Sequence, residues 1–142
     1  MQRRELLLAA LASAGHEASL TPVKVQKLFF LLDREMAHLT EGPHFRFAAY
    51  DYGPFDRGVY DAIDDLKNDG LVHIDESGPY RRYSLTANGM TEGMVALRKA
   101  PAPLQRYMTA VSEWLKRVTF AQLVSEIYKQ YPEMKANSIF KQ

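Results

Sequence analysis

The chain has 142 residues, 46% hydrophobic and 25% charged, with a net charge of +1 and no cysteine. That balance describes one ordinary globular domain with its own core, and it excludes disulfides, thiolate metal sites and cysteine nucleophiles, as expected in a reducing cytoplasm. Nothing approaches the ~18 consecutive apolar residues of a membrane span, and no charge excess by itself announces nucleic acid.

Met1-Gln2-Arg3-Arg4 followed by LLLAALASA superficially has the layout of a signal peptide, but Glu5 interrupts the basic start. The stretch reads instead as an amphipathic helix, with Leu6, Leu7, Ala10, Leu11 and Ala14 as its stripe and Gly15 at its end. Thr21-Pro22 opens the second helix as N-cap and first helical residue. Val25, Leu28, Phe29, Leu32, Met36 and Leu39 give it one continuous core face, with Lys24, Lys27 and Arg34 on the polar side. Glu41-Gly42-Pro43 breaks it. HFRFAAYDY alternates partially, as a short strand or extended arm, and Pro54 stops any strand there. Asp56 caps a third helix with Val59, Ile63 and Leu66 on its buried side and Gly70 after it. LVHID and YRRYSLT form a hairpin across ESGP. Thr86 caps a helix to about Lys99, weakened by Gly89 and Gly93. APAP then punctuates the chain before helices over 104–117 and 119–131. The order predicts a mainly α protein with a small β-hairpin (α+β): a winged-helix-like core over 1–99 and a C-terminal helical extension of the same domain over 100–142.

Charge decides what such a scaffold can meet. Residues 1–71 carry 8 Lys/Arg against 11 Asp/Glu, a net of −3, while residues 72–142 carry 10 against 6, a net of +4. With Val59, Ile63 and Leu66 buried, the solvent face of the third helix is Asp61, Asp64, Asp65 and Asn68, at i, i+3, i+4 and i+7. A winged helix that reads DNA lays this helix in the major groove, where phosphate contacts need Lys, Arg and amide donors. An acidic stripe repels that ligand; it reads either as a solvated face that keeps the domain soluble or as a surface that meets a basic protein. Tyr50, Tyr52, Phe55 and Tyr60 gather around Gly53-Pro54 beside it, a pattern found in cores and in partner anchors. The alternative, a DNA-binding regulator, would use Lys24, Lys27, Arg81 and Arg82, the last two in the wing between Tyr80 and Tyr83.

No catalytic or metal site is nominated. His16, His38, His44 and His73 are scattered, and no nucleophile-elbow, phosphate-loop or dinucleotide pattern occurs. Asp33-Arg34-Glu35 reads as a surface ion-pair cluster, because carboxylates at i and i+2 do not face each other.

Two stretches carry a family resemblance. Lys24, Gln26, Lys27, Leu28 and Phe30, followed by Tyr52, Gly53, Pro54, Val59 and Tyr60, resemble the Panacea domain of SocA-like antitoxins and phage-associated proteins. The resemblance spans roughly residues 20–70, with Phe30 where that family has tyrosine; the hairpin and the LVSEIYKQYPEMKANS ending are similar to the YwgA-like group. It implies a non-catalytic module that binds a protein partner, such as a basic toxin, with no cofactor. The expected contact residues are Tyr52, Gly53, Pro54 and Phe55 at the bend and Asp61, Asp64 and Asp65 on the helix.

Overall fold

The computed structural model describes residues 1–141. Helices dominate: α1 (Arg3–Ser13), α2 (Pro22–Glu35), α3 (Ala37–Thr40), α4 (Arg57–Asn68), α5 (Ala87–Lys99), α6 (Ala102–Arg117) and α7 (Phe120–Gln130), with a 3-10 turn at Pro132–Lys135. Two antiparallel pairs complete the chain, β1 (Ala48–Tyr50) with β2 (Gly53–Phe55) and β3 (Val72–Asp75) with β4 (Arg82–Leu85). One hydrophobic cluster joins residues on both sides of position 100, from Leu6 and Leu28 to Leu104, Met108 and Ile127. Among the described residues no helix is long and apolar enough to cross a membrane.

The capping logic holds in most places. Asp56 accepts from the Gly58 amide at 2.7 Å, Thr86 from Gly89 at 3.0 Å, and Thr119 forms a reciprocal box with Gln122. Thr21 is the N-cap of α2 without a side-chain bond.

Two helices depart from the amphipathic expectation. All residues from Leu6 to Ser13 are buried, because α1 packs against α4, α5 and α6; its apparent stripe is part of a helix enclosed on all sides beyond its first turn. In α2, too, everything from Val25 to Asp33 is buried. The helix also stops earlier than its periodicity suggests. Met36 leaves helical geometry at φ −123°, ψ 15° and only the single turn of α3 follows, so Leu39 lies beyond the break.

Pro54 does not end a strand; it lies within one, opposite Ala49. A proline can occupy a strand position whose N–H would point away from its neighbour. The carbonyl then points the same way, into the protein.

The β3–β4 hairpin pairs Val72 with Leu85 through Asp75 with Arg82. Leu20 adds a further bridge to Tyr83, exchanging main-chain bonds of 2.9 and 2.8 Å, and so ties this hairpin to the entry of α2.

Gly89 and Gly93 serve close approach. A Cβ at Gly89 would lie 1.9 Å from the Leu71 carbonyl oxygen; at Gly93 it would meet the Leu8 carbonyl oxygen at 2.6 Å and Ala12 Cβ at 2.8 Å. Gly93→Ala should therefore lower stability, although alanine is favoured in a free helix by about 1 kcal/mol. Leu32→Ala and Ile63→Ala, at two fully buried side chains, should each cost about 2–5 kcal/mol. Urea unfolding midpoints measure all three, and a stabilised Gly93→Ala would contradict the packing described here.

Candidate partner-binding site

The β1–β2 hairpin carries the bend residues, and α2 holds it from beneath with side chains rather than with backbone. Gln26, although buried, makes two bonds to a single residue: its Nε2 donates to the Asp56 carbonyl at 3.0 Å, and its Oε1 accepts from the Asp56 amide at 2.9 Å. Lys27 Nζ donates to the Pro54 carbonyl at 3.3 Å. About two helical turns further on, both Asp33 carboxylate oxygens accept main-chain amides, from His44 at 2.9 Å and Phe45 at 2.8 Å. The segment from 44 to 56 thus acquires its course from three polar side chains on one helix.

The ionisation of these groups follows from their enclosure. Lys27 is 3% exposed, and burial alone lowers its pKa to about 7. Burial raises the carboxyl of Asp33 above the usual carboxylate range, against the two amides that favour its charged form. Tyr60 is pushed up to about 12, chiefly by burial and then by Tyr83.

These placements correct two readings of the sequence. Lys27 is not on a solvated face, so it cannot contact a phosphate. Asp33, Arg34 and Glu35 do not form a mutual ion-pair cluster either: Asp33 turns inward, Arg34 bridges Glu133 at 2.8 Å and stacks over Phe30 and Tyr131, and Glu35 accepts from the Tyr131 hydroxyl. Helix α2 is enclosed on more sides than an amphipathic pattern assumes.

The bend itself divides into support and surface. Gly53 and Pro54 are buried and Phe55 half-buried, while Tyr52 is 41% exposed. Gly53 sits at φ +105°, where an L side chain is strained, and a Cβ there would meet Tyr128 at 3.4 Å and Lys27 Cε at 3.5 Å. Tyr50 is 53% exposed and packs on Phe55 at 5.2 Å between centroids; Phe55 in turn meets Tyr60 at 5.7 Å.

Two partners of this surface come from the distant C-terminal region. Phe120, 41% exposed, packs edge-on against Tyr52 at 5.0 Å, and Ile139, 59% exposed, donates its amide to the Asp51 carbonyl at 3.0 Å. Tyr52 and Phe120 therefore form one exposed aromatic pair beside the hairpin turn, with Tyr50 exposed on Phe55 and Ile139 exposed next to the Asp51 carbonyl. Sequence reasoning reached the two tyrosines and missed Phe120 and Ile139, whose only local signal is an aromatic at the first turn of α7 and an isoleucine in a polar stretch.

On α4, Asp61, Asp64, Asp65 and Asn68 are all exposed while Val59, Ile63 and Leu66 are buried. Only a long 3.9 Å approach from Arg57 to Asp61 offsets the stripe along its own helix. In the β3–β4 hairpin, Arg81 bridges Glu76 at 2.7 Å and Arg82 reaches the Ser19 hydroxyl at 3.3 Å. Lys24 is half-buried, and its pKa is lowered by burial and by Arg82.

Comparison with protein-family models, curated proteins and solved structures finds no match to this chain.

The Lys27 amine gives the site a pH signature. Between about 7 and its ordinary value of 10.5, the unfolded chain binds a proton that the folded chain does not. Stability should therefore rise with pH through this window, by up to about 1.4 kcal/mol per pH unit. Lys27→Met should flatten the rise. Unfolding midpoints of both proteins between pH 6.5 and 9 measure it; parallel curves would mean that the amine reaches water.

Proposed function

We propose that this protein is a non-catalytic, cytoplasmic protein-binding module of the Panacea antitoxin kind, with a winged-helix-like core turned from nucleic acid toward a basic protein partner. The observation that carries this reading is the exposed aromatic pair of Tyr52 and Phe120, in which Tyr52 is carried by a hairpin whose backbone is pinned by Gln26 and Lys27. Contiguous exposed apolar side chains commonly mark interaction sites. A rigid support lets them bind without an added ordering cost. Gly53 and Pro54 shape the bend, Tyr52 contributes contact area, and Phe55 backs Tyr50. Asp61, Asp64 and Asp65 steer a basic surface toward the pair.

Support for the winged-helix arrangement comes from the Leu20–Tyr83 bridge, which pairs one residue before α2 with the β3–β4 hairpin that follows α4. Support for the family reading comes from the contact between the two stretches that carry the resemblance, since Gln26 and Lys27 bond directly to the Tyr52–Asp56 region. The regulator reading is weaker by comparison. Of its four basic residues, Lys27 is enclosed and Arg81 is paired with Glu76, and the groove-facing helix would present three aspartates.

Capture of partners from the native host with the unaltered chain, Tyr52→Ala and Asp61→Asn/Asp64→Asn/Asp65→Asn tests the proposal. A partner retained by the unaltered chain should dissociate about tenfold faster from Tyr52→Ala, with little salt dependence. The triple variant should associate several-fold more slowly at low salt, and the difference should vanish at high salt. Equal capture and equal kinetics across the three would refute this surface. Nanomolar binding to the protein's own promoter, abolished by Arg81→Ala with Arg82→Ala, would establish the regulator instead.

A further inference from the structure

The outer edge of β1 is already occupied, and by the chain itself. After the 3-10 turn, residues 137–140 run along the side of β1 that faces away from β2. The Asn137 side-chain amide donates to the Ala49 carbonyl at 3.2 Å, and the Ile139 amide donates to the Asp51 carbonyl at 3.0 Å. The two acceptors are two residues apart, as outward carbonyls along one strand edge are, and one of their two donors is main-chain. The Ser138 hydroxyl accepts from Tyr128 at 2.6 Å and reaches the Asp51 carbonyl at 3.3 Å. Phe140 packs against Phe120 at 5.9 Å and Tyr128 at 6.5 Å.

We propose that this edge is a strand-addition site for a short extended segment of a partner protein, carrying a hydroxyl residue, an aliphatic residue and an aromatic residue in sequence, and that Ser138-Ile139-Phe140 is a displaceable occupant held in cis. The seated segment defines the chemistry: a hydroxyl for Tyr128, an aromatic ring for Phe120, and main-chain donors for the Ala49 and Asp51 carbonyls. It is also an incomplete ligand. Among the described residues a single main-chain bond joins it to the hairpin, and a side-chain amide stands in at Ala49. A fully extended partner strand supplies main-chain groups at both positions, while Ile139 remains largely exposed in the present occupant. The inference deepens the protein-binding reading given above, and it names the partner's contacting segment.

The probe is a synthetic peptide of residues 135–141, KANSIFK, and the test compares the unaltered full chain with its Ser138→Ala/Phe140→Ala variant. The tethered segment competes at an effective concentration in the millimolar range. The peptide should therefore bind the variant at least about tenfold more tightly than it binds the unaltered chain, and a peptide with alanine in place of phenylalanine should not bind. Equal affinity for both proteins, or no binding to a folded variant, would overturn the proposal. If the variant does not fold, hydrogen exchange in the unaltered chain decides: added peptide should accelerate exchange of the Ile139 amide and leave the Ile63 and Leu66 amides unchanged. Exchange of Ile139 only by global unfolding would refute displacement. Neither outcome depends on the capture experiment, so the aromatic pair and the strand-addition site can fail separately.

Discussion

The course of the chain from 44 to 56 depends on hydrogen bonds made by buried polar side chains of one enclosed helix. Gln26, Lys27 and Asp33 give the segment from 44 to 56 its main-chain partners where the short β1–β2 pair cannot. A buried amide or carboxylate left without partners would cost several kcal/mol at most sites. Once α2 is enclosed, these side chains are therefore committed to the loop, and the loop to them. The Gln26–Asp56 pair also places Asp56 where its side chain caps α4, so the orientation of the acidic helix is linked to the same residue.

Lys27 marks the strain in this arrangement. A cation enclosed with one carbonyl for company is held near neutrality by burial, and replacing it with a neutral long side chain would remove that conflict. Its position under Gly53 and Pro54 explains why the bend above it is so tightly packed: Gly53 lies against both Lys27 and Tyr128. Tyr128 in turn bonds Ser138, which connects the bend to the C-terminal segment. The hairpin, α7 and the C-terminal segment thus meet around one buried amine.

The acidic stripe of α4 has a simpler physical basis. Its buried side is settled by Val59, Ile63 and Leu66, and helical geometry turns Asp61, Asp64 and Asp65 to solvent. Exposed charges of this kind contribute little to folding, while their field reaches about 8–10 Å at moderate salt. A field of this sign repels a polyanion.

How much of this was legible without coordinates can be traced residue by residue. Caps and periodicity carried the helices, because Asp56, Thr86 and Thr119 bond amides within three residues of themselves and a helix repeats its geometry locally. The mainly helical α+β class and the buried faces of α2 and α4 followed from the same local rules. Tertiary structure alone decided that Gln26, Lys27 and Asp33 of α2 point inward, because enclosure depends on what α6 and the β1–β2 hairpin bring to that side. It also decided that Pro54 sits within a strand, since only the pairing with Ala49 says which of its groups face outward. Phe120 reached Tyr52 and Ile139 reached Asp51 by the same route: each pair is separated by more than sixty residues, and no local pattern reports a contact made across that distance.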